Sequence, residues 1–266
     1  MLDERLVTAL HVETLRQDQV HAEHAPHVLF QASTIGALLD GAYEGDVSFA
    51  QLAEHGDLGL GTLNALDGEM IALDGHFYRA DVDGAINEVE PTAETPFAVV
   101  VWFEPEIEFE LEHPLGHDDL IAALDARVPA GASSCAIRVD GDFELVRARS
   151  VPRQRPPYRP LGEVVADQHV FELRAVSGTV VGFRFPDYAE GLEVSGYHLH
   201  FISTDRSRGG HVLECRPIRG RAQIDPSTNL HVELPPGIDL SSVEIAESTR
   251  KALHRAEAAR REPQPS

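Results

Sequence analysis

The stretch G-L-G-T-L-N-A-L-D-G-E-M-I-A-L-D-G-H-F-Y-R-A (59–80) decides the fold class. Its short apolar runs are interrupted by Asp67-Gly68 and by Asp74-Gly75. Asp-Gly suits the positive φ angles of tight hairpin turns, so the stretch predicts three strands joined by Asp-Gly turns. Upstream, Val28 to Gln31 predicts a short strand, and Ser33 or Thr34 can cap a helix through Leu39 that ends near Gly41. In S-F-A-Q-L-A-E-H-G (48–56), Ser48 and Gln51 have the spacing of a capping box and Gly56 is a terminator. Downstream, P-F-A-V-V-V-W-F (96–103) predicts a buried strand, and His117-Asp118-Asp119 opens a helix through Ala126. A further hairpin is predicted in C-A-I-R-V, Asp140-Gly141, F-E-L-V-R-A-R.

Residues 151–160, V-P-R-Q-R-P-P-Y-R-P, hold four prolines and three arginines. Proline removes backbone donors and stiffens the chain, so this segment is expected to connect two halves. Beyond it the pattern predicts a short helix from Leu161, strands at 169–175, 178–185, 193–202, 211–218 and 229–234, and a final helix from about Ser242 to Ala259. The expected organisation is a polar N-terminal arm (1–27), an α+β half (28–150), the connector (151–160), a second α+β half (161–260) and a disordered tail (261–266). Helices and hairpins without regular βαβ alternation point to an α+β fold, with mixed or antiparallel sheets and short helices.

Composition narrows the function. The chain has 266 residues, of which 42% are hydrophobic, ample for a large core. No apolar run is long enough to span a membrane and the first thirty residues lack the apolar core of a signal peptide, so a cytoplasmic protein is expected. Two cysteines, Cys135 and Cys215, are too few for a disulfide framework. A formal charge of -22 repels phosphate backbones and acidic lipids, which argues against nucleic acid or membrane partners.

The chemistry lies in G-Y-H-L-H-F-I-S-T-D-R-S-R-G-G-H-V-L-E-C (196–215). Side chains at i and i+2 of a strand share a face, so His198 and His200 project together while Tyr197, Leu199 and Phe201 face a core. The run from Ser203 to Gly210 reverses the chain, and His211 opens the strand that pairs back. Three neutral imidazoles leave a fourth position open on Zn2+, the arrangement of a catalytic site. Manganese, iron, cobalt or nickel also accept imidazole. Among 14 histidines an H-x-H pair alone is a weak signal; the third histidine after a Gly-Gly turn strengthens it. His55 reads as a cation at a helix end, while His113, His117, His169, His231 and His254 have no partner at ligand spacing. Cys215 shares the face of His211 by strand parity and reads as a small core residue.

Together these residues resemble the acetolactate decarboxylase family. The resemblance runs through Q-A-S-T-I-G-A-L-L-D-G-A-Y-E-G-D (31–46), H-G-D-L-G-L-G-T-L-N-A-L-D-G-E-M-I-A-L-D-G (55–75), T-P-F-A (95–98), R-A-R-S-V-P-R-Q (147–154) and the histidine segment. It implies two related α+β halves with a zinc site between them. The implied reaction converts 2-acetolactate to acetoin and carbon dioxide through a metal-stabilised enediolate, on the route from pyruvate to 2,3-butanediol. The implied metal ligands are His198, His200 and His211. Glu69, in L-D-G-E-M, and Arg149, the second arginine of R-A-R-S-V-P, are the implied catalytic residues. Glu257 in H-R-A-E matches a glutamate beside the metal, Thr62 matches a pocket residue, and a homodimer fits the family. Two positions depart from the family pattern: S-T-I-G-A stands where S-T-M-x-A is common, and Leu58 stands where an aromatic is common. Both changes keep apolar character.

These residue types suit that chemistry. Loss of carbon dioxide from acetolactate leaves an electron pair that must be held as an enediolate, which a divalent Lewis acid can do without an organic cofactor. The planar fork of Arg149 is expected to bind and align the substrate carboxylate or the developing enediolate. Glu69 is expected to have a raised pKa and deliver the proton, and Glu257 to orient a metal-bound water or assist that transfer. A cupin-like dioxygenase or isomerase would need a glutamate a few residues after H-x-H, and the nearby acids, Asp205 and Glu214, fit poorly. A non-catalytic binding module is disfavoured by the acidic surface and the complete site.

Overall fold

The computed structural model describes residues 11–15, 26–129, 132, 134–189, 191–227 and 229–234. Its strands are β1 His11–Leu15, β2 Val28–Ala32, β3 Val47–Ser48, β4 Leu58–Thr62, β5 Glu69–Leu73, β6 His76–Ala80, β7 Ile86–Glu88, β8 Glu94–Thr95, β9 Ala98–Val101, β10 Ile107–Leu111, β11 Ser134–Ser150, β12 His169–Phe185, β13 Gly196–Ser203, β14 Gly209–Ser227 and β15 Asn229–Glu233. Its α-helices are α1 Ile35–Leu39, α2 Phe49–Leu52, α3 His117–Asp125 and α4 Leu161–Val164. Among the described residues the molecule is mostly β-sheet with a few short helices. Among the described residues no helix is long and apolar enough to cross a membrane.

The local signals act as the sequence requires. Thr34 caps α1 by accepting a hydrogen bond from Ala37 N–H at 3.2 Å. Ser48 and Gln51 form the reciprocal capping box at α2. Asp74 and Gly75, with φ of 54° and 77°, make the tight turn between β5 and β6. The earlier Asp-Gly turn is different. β4 ends at Thr62, directly opposite Glu69, and the connection between them winds through a short 3-10 turn at Asn64–Leu66.

Two expectations fail for one reason. No hairpin forms at Asp140-Gly141, where β11 runs unbroken for 17 residues; the strands expected at 169–175 and 178–185 are likewise one strand, β12. Gly141 lies opposite Gly178 on β12 and Gly220 on β14. A Cβ on Gly141 would meet Arg219 O at 2.4 Å, so the glycine serves close strand approach rather than a turn. β14 similarly extends well past 211–218, and β13 begins at Gly196 rather than residue 193. Residues 11–15 of the expected polar arm form β1. The expected helix at 242–259 and the tail at 261–266 lie outside the described residues.

The larger sheet has eight strands in the order β1-β15-β2-β9-β4-β5-β6-β7, parallel at β1–β15–β2 and antiparallel elsewhere. The second has the order β10-β14-β11-β12-β13, and β13 also pairs with β14, closing a ring of strands. The division between the sheets does not follow the 151–160 connector: β10 and β11 precede it yet belong to the second sheet, and β15 follows it yet belongs to the first. Leu60, Ile71 and Val99 from the first sheet share one core with Ala136, Val181, Phe183 and Ile202 from the second. Alternation within strands then fixes which polar residues look into the space between the sheets. Glu69 has the parity of Ile71, Thr62 that of Leu60, and His198 and His200 that of Ile202.

Candidate active site

His198, His200 and His211 come together. Their ring centroids are 5.1, 5.1 and 5.3 Å apart, and one nitrogen from each lies within 4.8 Å of the others. His200 and His211 stand directly opposite each other in the β13–β14 pair, and Arg149 stands opposite His211 in the β11–β14 pair. Tyr197, Leu199 and Phe201 pack into a separate core on the other face of β13, as parity requires.

Cys215 is not on the His211 face. Between Ala148 and Arg147 of β11 the register with β14 skips Leu213, and this bulge reverses the alternation. Cys215 therefore packs with Val146 and Ala148, with its Sγ 3.7 Å from His117 Nδ1. His55 also departs from expectation. Its ring stacks on Phe30 at 4.0 Å, and burial lowers its pKa, both of which disfavour a helix-end cation.

The fully buried imidazole of His200 identifies its own tautomer. Its Nδ1–H donates to the carbonyl of Met70 on β5 at 2.8 Å. That leaves Nε2 without a proton, and this buried atom makes no hydrogen bond. Burial holds the His200 pKa down to about 3, with the Arg149 charge a smaller cause in the same direction. A neutral imidazole with a backbone-anchored Nδ1 and an open Nε2 is the form that binds a metal. The three-histidine set fits a divalent ion on that ground.

Two charged groups border the cluster. Glu69 Oε2 lies 3.6 Å from His200 Nε2, and Glu69 Oε1 lies 3.8 Å from Arg149 Nη1. Each side chain is 10% exposed. Burial raises the Glu69 pKa to about 7 and outweighs the opposing pull of Arg149. Such a carboxyl can hold or release a proton near neutrality. Thr62 stands beside it, buried, donating through Oγ1 to Gly68 O at 2.8 Å. Glu257 lies outside the described residues.

The profile of the alpha-acetolactate decarboxylase family matches residues 29–247. The chain belongs to that family. It is 43% identical to the alpha-acetolactate decarboxylase of Methylococcus capsulatus, over 96% of this chain and 99% of that one. Identity to the Methanosarcina mazei alpha-acetolactate decarboxylase is 44%, over 89% of this chain and 82% of that one. The crystal structure of the alpha-acetolactate decarboxylase from Bacillus subtilis strain 168 superposes with a TM-score of 0.82 at 36% identity, covering 86% of this chain and 99% of that one. As a member of the alpha-acetolactate decarboxylase family, the chain is an enzyme of the carboxy-lyase class. The contributor that sequence reading missed is the Met70 carbonyl. It acts through its backbone, so no residue identity could have signalled it.

Proposed function

We propose that the chain decarboxylates 2-acetolactate to acetoin and carbon dioxide with a divalent ion, zinc by preference, held by His198, His200 and His211, on the route from pyruvate to 2,3-butanediol. One observation carries the reading: a near-neutral carboxyl, Glu69, stands between a buried guanidinium and an open imidazole nitrogen. When bound, the ion would supply Lewis-acid stabilisation of the negative charge left as carbon dioxide departs.

The protein groups carry the remaining steps. Arg149 is buried, and its Nε makes no hydrogen bond. A carboxylate in the pocket would answer that donor, and the fork of the guanidinium would fix its plane. Burial penalises the Glu69 anion and raises its pKa to about 7, so a large share of the carboxyl carries its proton at neutral pH. As the carboxyl group leaves, the electron pair passes into the neighbouring ketone to give an enediolate. Glu69 then donates its Oε proton to one carbon face, which sets the configuration of acetoin. Thr62 lines the pocket beside Glu69, and Glu257 is assigned by motif to the vicinity of the metal. The inward faces of two sheets exclude bulk water, which strengthens each of these interactions.

The test is a colorimetric acetoin assay on purified protein given 2-acetolactate, run beside Glu69→Gln. The wild type is expected to produce acetoin. The variant is expected to keep its metal and lose turnover by about a hundredfold or more. A wild type that makes no acetoin sinks the reading; a variant that turns over normally removes Glu69 as proton donor.

A further inference from the structure

Glu69 and Arg149 stand on different sheets, so their spacing depends on what ties the turn before Glu69 to the segment after Arg149. Glu69 is the first residue of β5, and Arg149 is the last but one of β11. The turn that delivers Glu69 follows an unfavourable path. Ala65 and Leu66 have φ of 61° and 53°, in the left-handed region that side chains with a Cβ avoid. Such a path persists only where the surroundings fix it.

The fixing contacts reach directly to the connector. The Ala65 carbonyl accepts from Gln154 N–H at 2.7 Å. Two residues further, Asp67 Oδ2 accepts from Arg153 Nη1 at 3.2 Å and from Arg79 Nη1, on β6, at 2.9 Å. Asp67 is two residues before Glu69, and Arg153 is four after Arg149. A backbone bond and an ionic bridge on adjacent residues thus latch the approach to one catalytic group against the exit from the other. The chemistry proposed above uses neither Asp67 nor Arg153.

We propose that Asp67 is a positioning residue, whose carboxylate, bridging Arg79 and Arg153, holds Glu69 at its working distance from Arg149. The proposal rests on the reading of Glu69 as the proton donor. Loss of the carboxylate leaves the Gln154–Ala65 bond in place, so the turn keeps its course while Glu69 gains freedom to shift. A displacement of that kind slows proton delivery and loosens its facial selectivity, with little effect on substrate capture.

The experiment compares wild type, Asp67→Asn, Asp67→Ala, Asp67→Glu and Glu69→Gln for kcat, KM, bound metal, Tm and the enantiomeric ratio of the acetoin formed. Asp67→Ala is expected to lower kcat about tenfold and to shift KM by less than about twofold. It is expected to retain full metal content and give acetoin of lower enantiomeric purity. Asp67→Glu, which can still span both arginines, is expected to recover most of kcat. If Asp67→Ala does not fold, Asp67→Asn, of the same shape, decides. Wild-type kcat and product ratio in the Asp67 variants, with Glu69→Gln inactive, would overturn the latch and leave Glu69 as donor. Activity lost only in step with metal or Tm would also overturn it, since that is a structural effect. A fully active Glu69→Gln would instead remove the donor reading, and the latch with it.

Discussion

Glu193 and Glu69 are both buried carboxyls, yet their surroundings differ. Glu69 has Arg149 beside it and a pKa of about 7. Glu193 is 1% exposed; Val194 N–H donates to its Oε2 at 3.3 Å, and among the described residues Oε1 makes no hydrogen bond. Burial pushes its pKa well above 4.5, and the Val194 bond opposes this only weakly. The consequence for stability has a definite sign. Below the ordinary carboxyl pKa both folded and unfolded chains carry the proton, and Glu193 imposes no ionisation penalty. As pH rises past that value the unfolded chain ionises while the folded one must keep its proton, so stability falls until the folded pKa is reached. Glu193→Gln removes the titration. Urea melts at about pH 4 and about pH 7 are expected to show the variant gaining on wild type with rising pH. A difference between the two proteins that stays constant with pH would show that folding does not perturb this carboxyl.

At the scale of elements, the same dipeptide has opposite outcomes at two places. At Asp74-Gly75 both residues take positive φ and the chain turns; a Cβ on Gly75 would meet nothing within 4 Å. At Asp140-Gly141 the strand runs on, and a Cβ on Gly141 would lie 2.4 Å from Arg219 O and 3.0 Å from Gly220 Cα. Gly75→Ala is therefore expected to cost about 1 kcal/mol, from the left-handed backbone alone. Gly141→Ala forces the neighbouring strand to move and is expected to cost about 2–3 kcal/mol. Denaturant melts of the two variants check the order, and an equal or reversed order would show that β11 and β14 yield freely at the glycine row. The comparison also shows what was legible in the sequence. Caps at Thr34 and Ser48, the turn at 74–75 and the parity of His198 and His200 are local, and each could be read from a few residues. The glycine row of 178, 141 and 220 is a property of register between strands far apart in sequence, so a local reading took Asp140-Gly141 for a turn. The bulge at Leu213, which separates Cys215 from His211, is hidden for the same reason. Glu69 and Arg149 were found by motif; their approach to within 3.8 Å follows from sheet packing, which no local pattern reports.

Taken as a whole, the molecule couples its two large sheets through the shared core and through His200, which sits on β13 and donates to Met70 O on β5. A second tie joins His27, just before β2, to the buried Asp225 on β14, with Nδ1 and Oδ1 2.5 Å apart. With the sheets tied this way, an ion on the three histidines would stabilise the folded molecule as a unit, since the unfolded chain would scatter them. A ligand at a hundred times its dissociation constant adds about 2.7 kcal/mol to a state that alone can bind it. For a chain of this size that corresponds to a rise in Tm of about 5–10 °C. Removing the ion with a strong chelator is expected to lower Tm by that amount, and restoring zinc to bring it back. The acidic surface, at -22, offers other places for divalent ions, so the control is His211→Ala. That variant is expected to melt low from the start and to ignore the chelator. A wild type whose Tm is unmoved when analysis shows its metal gone would mean that the three imidazoles hold their geometry unaided, and that the ion contributes to chemistry without contributing to the fold.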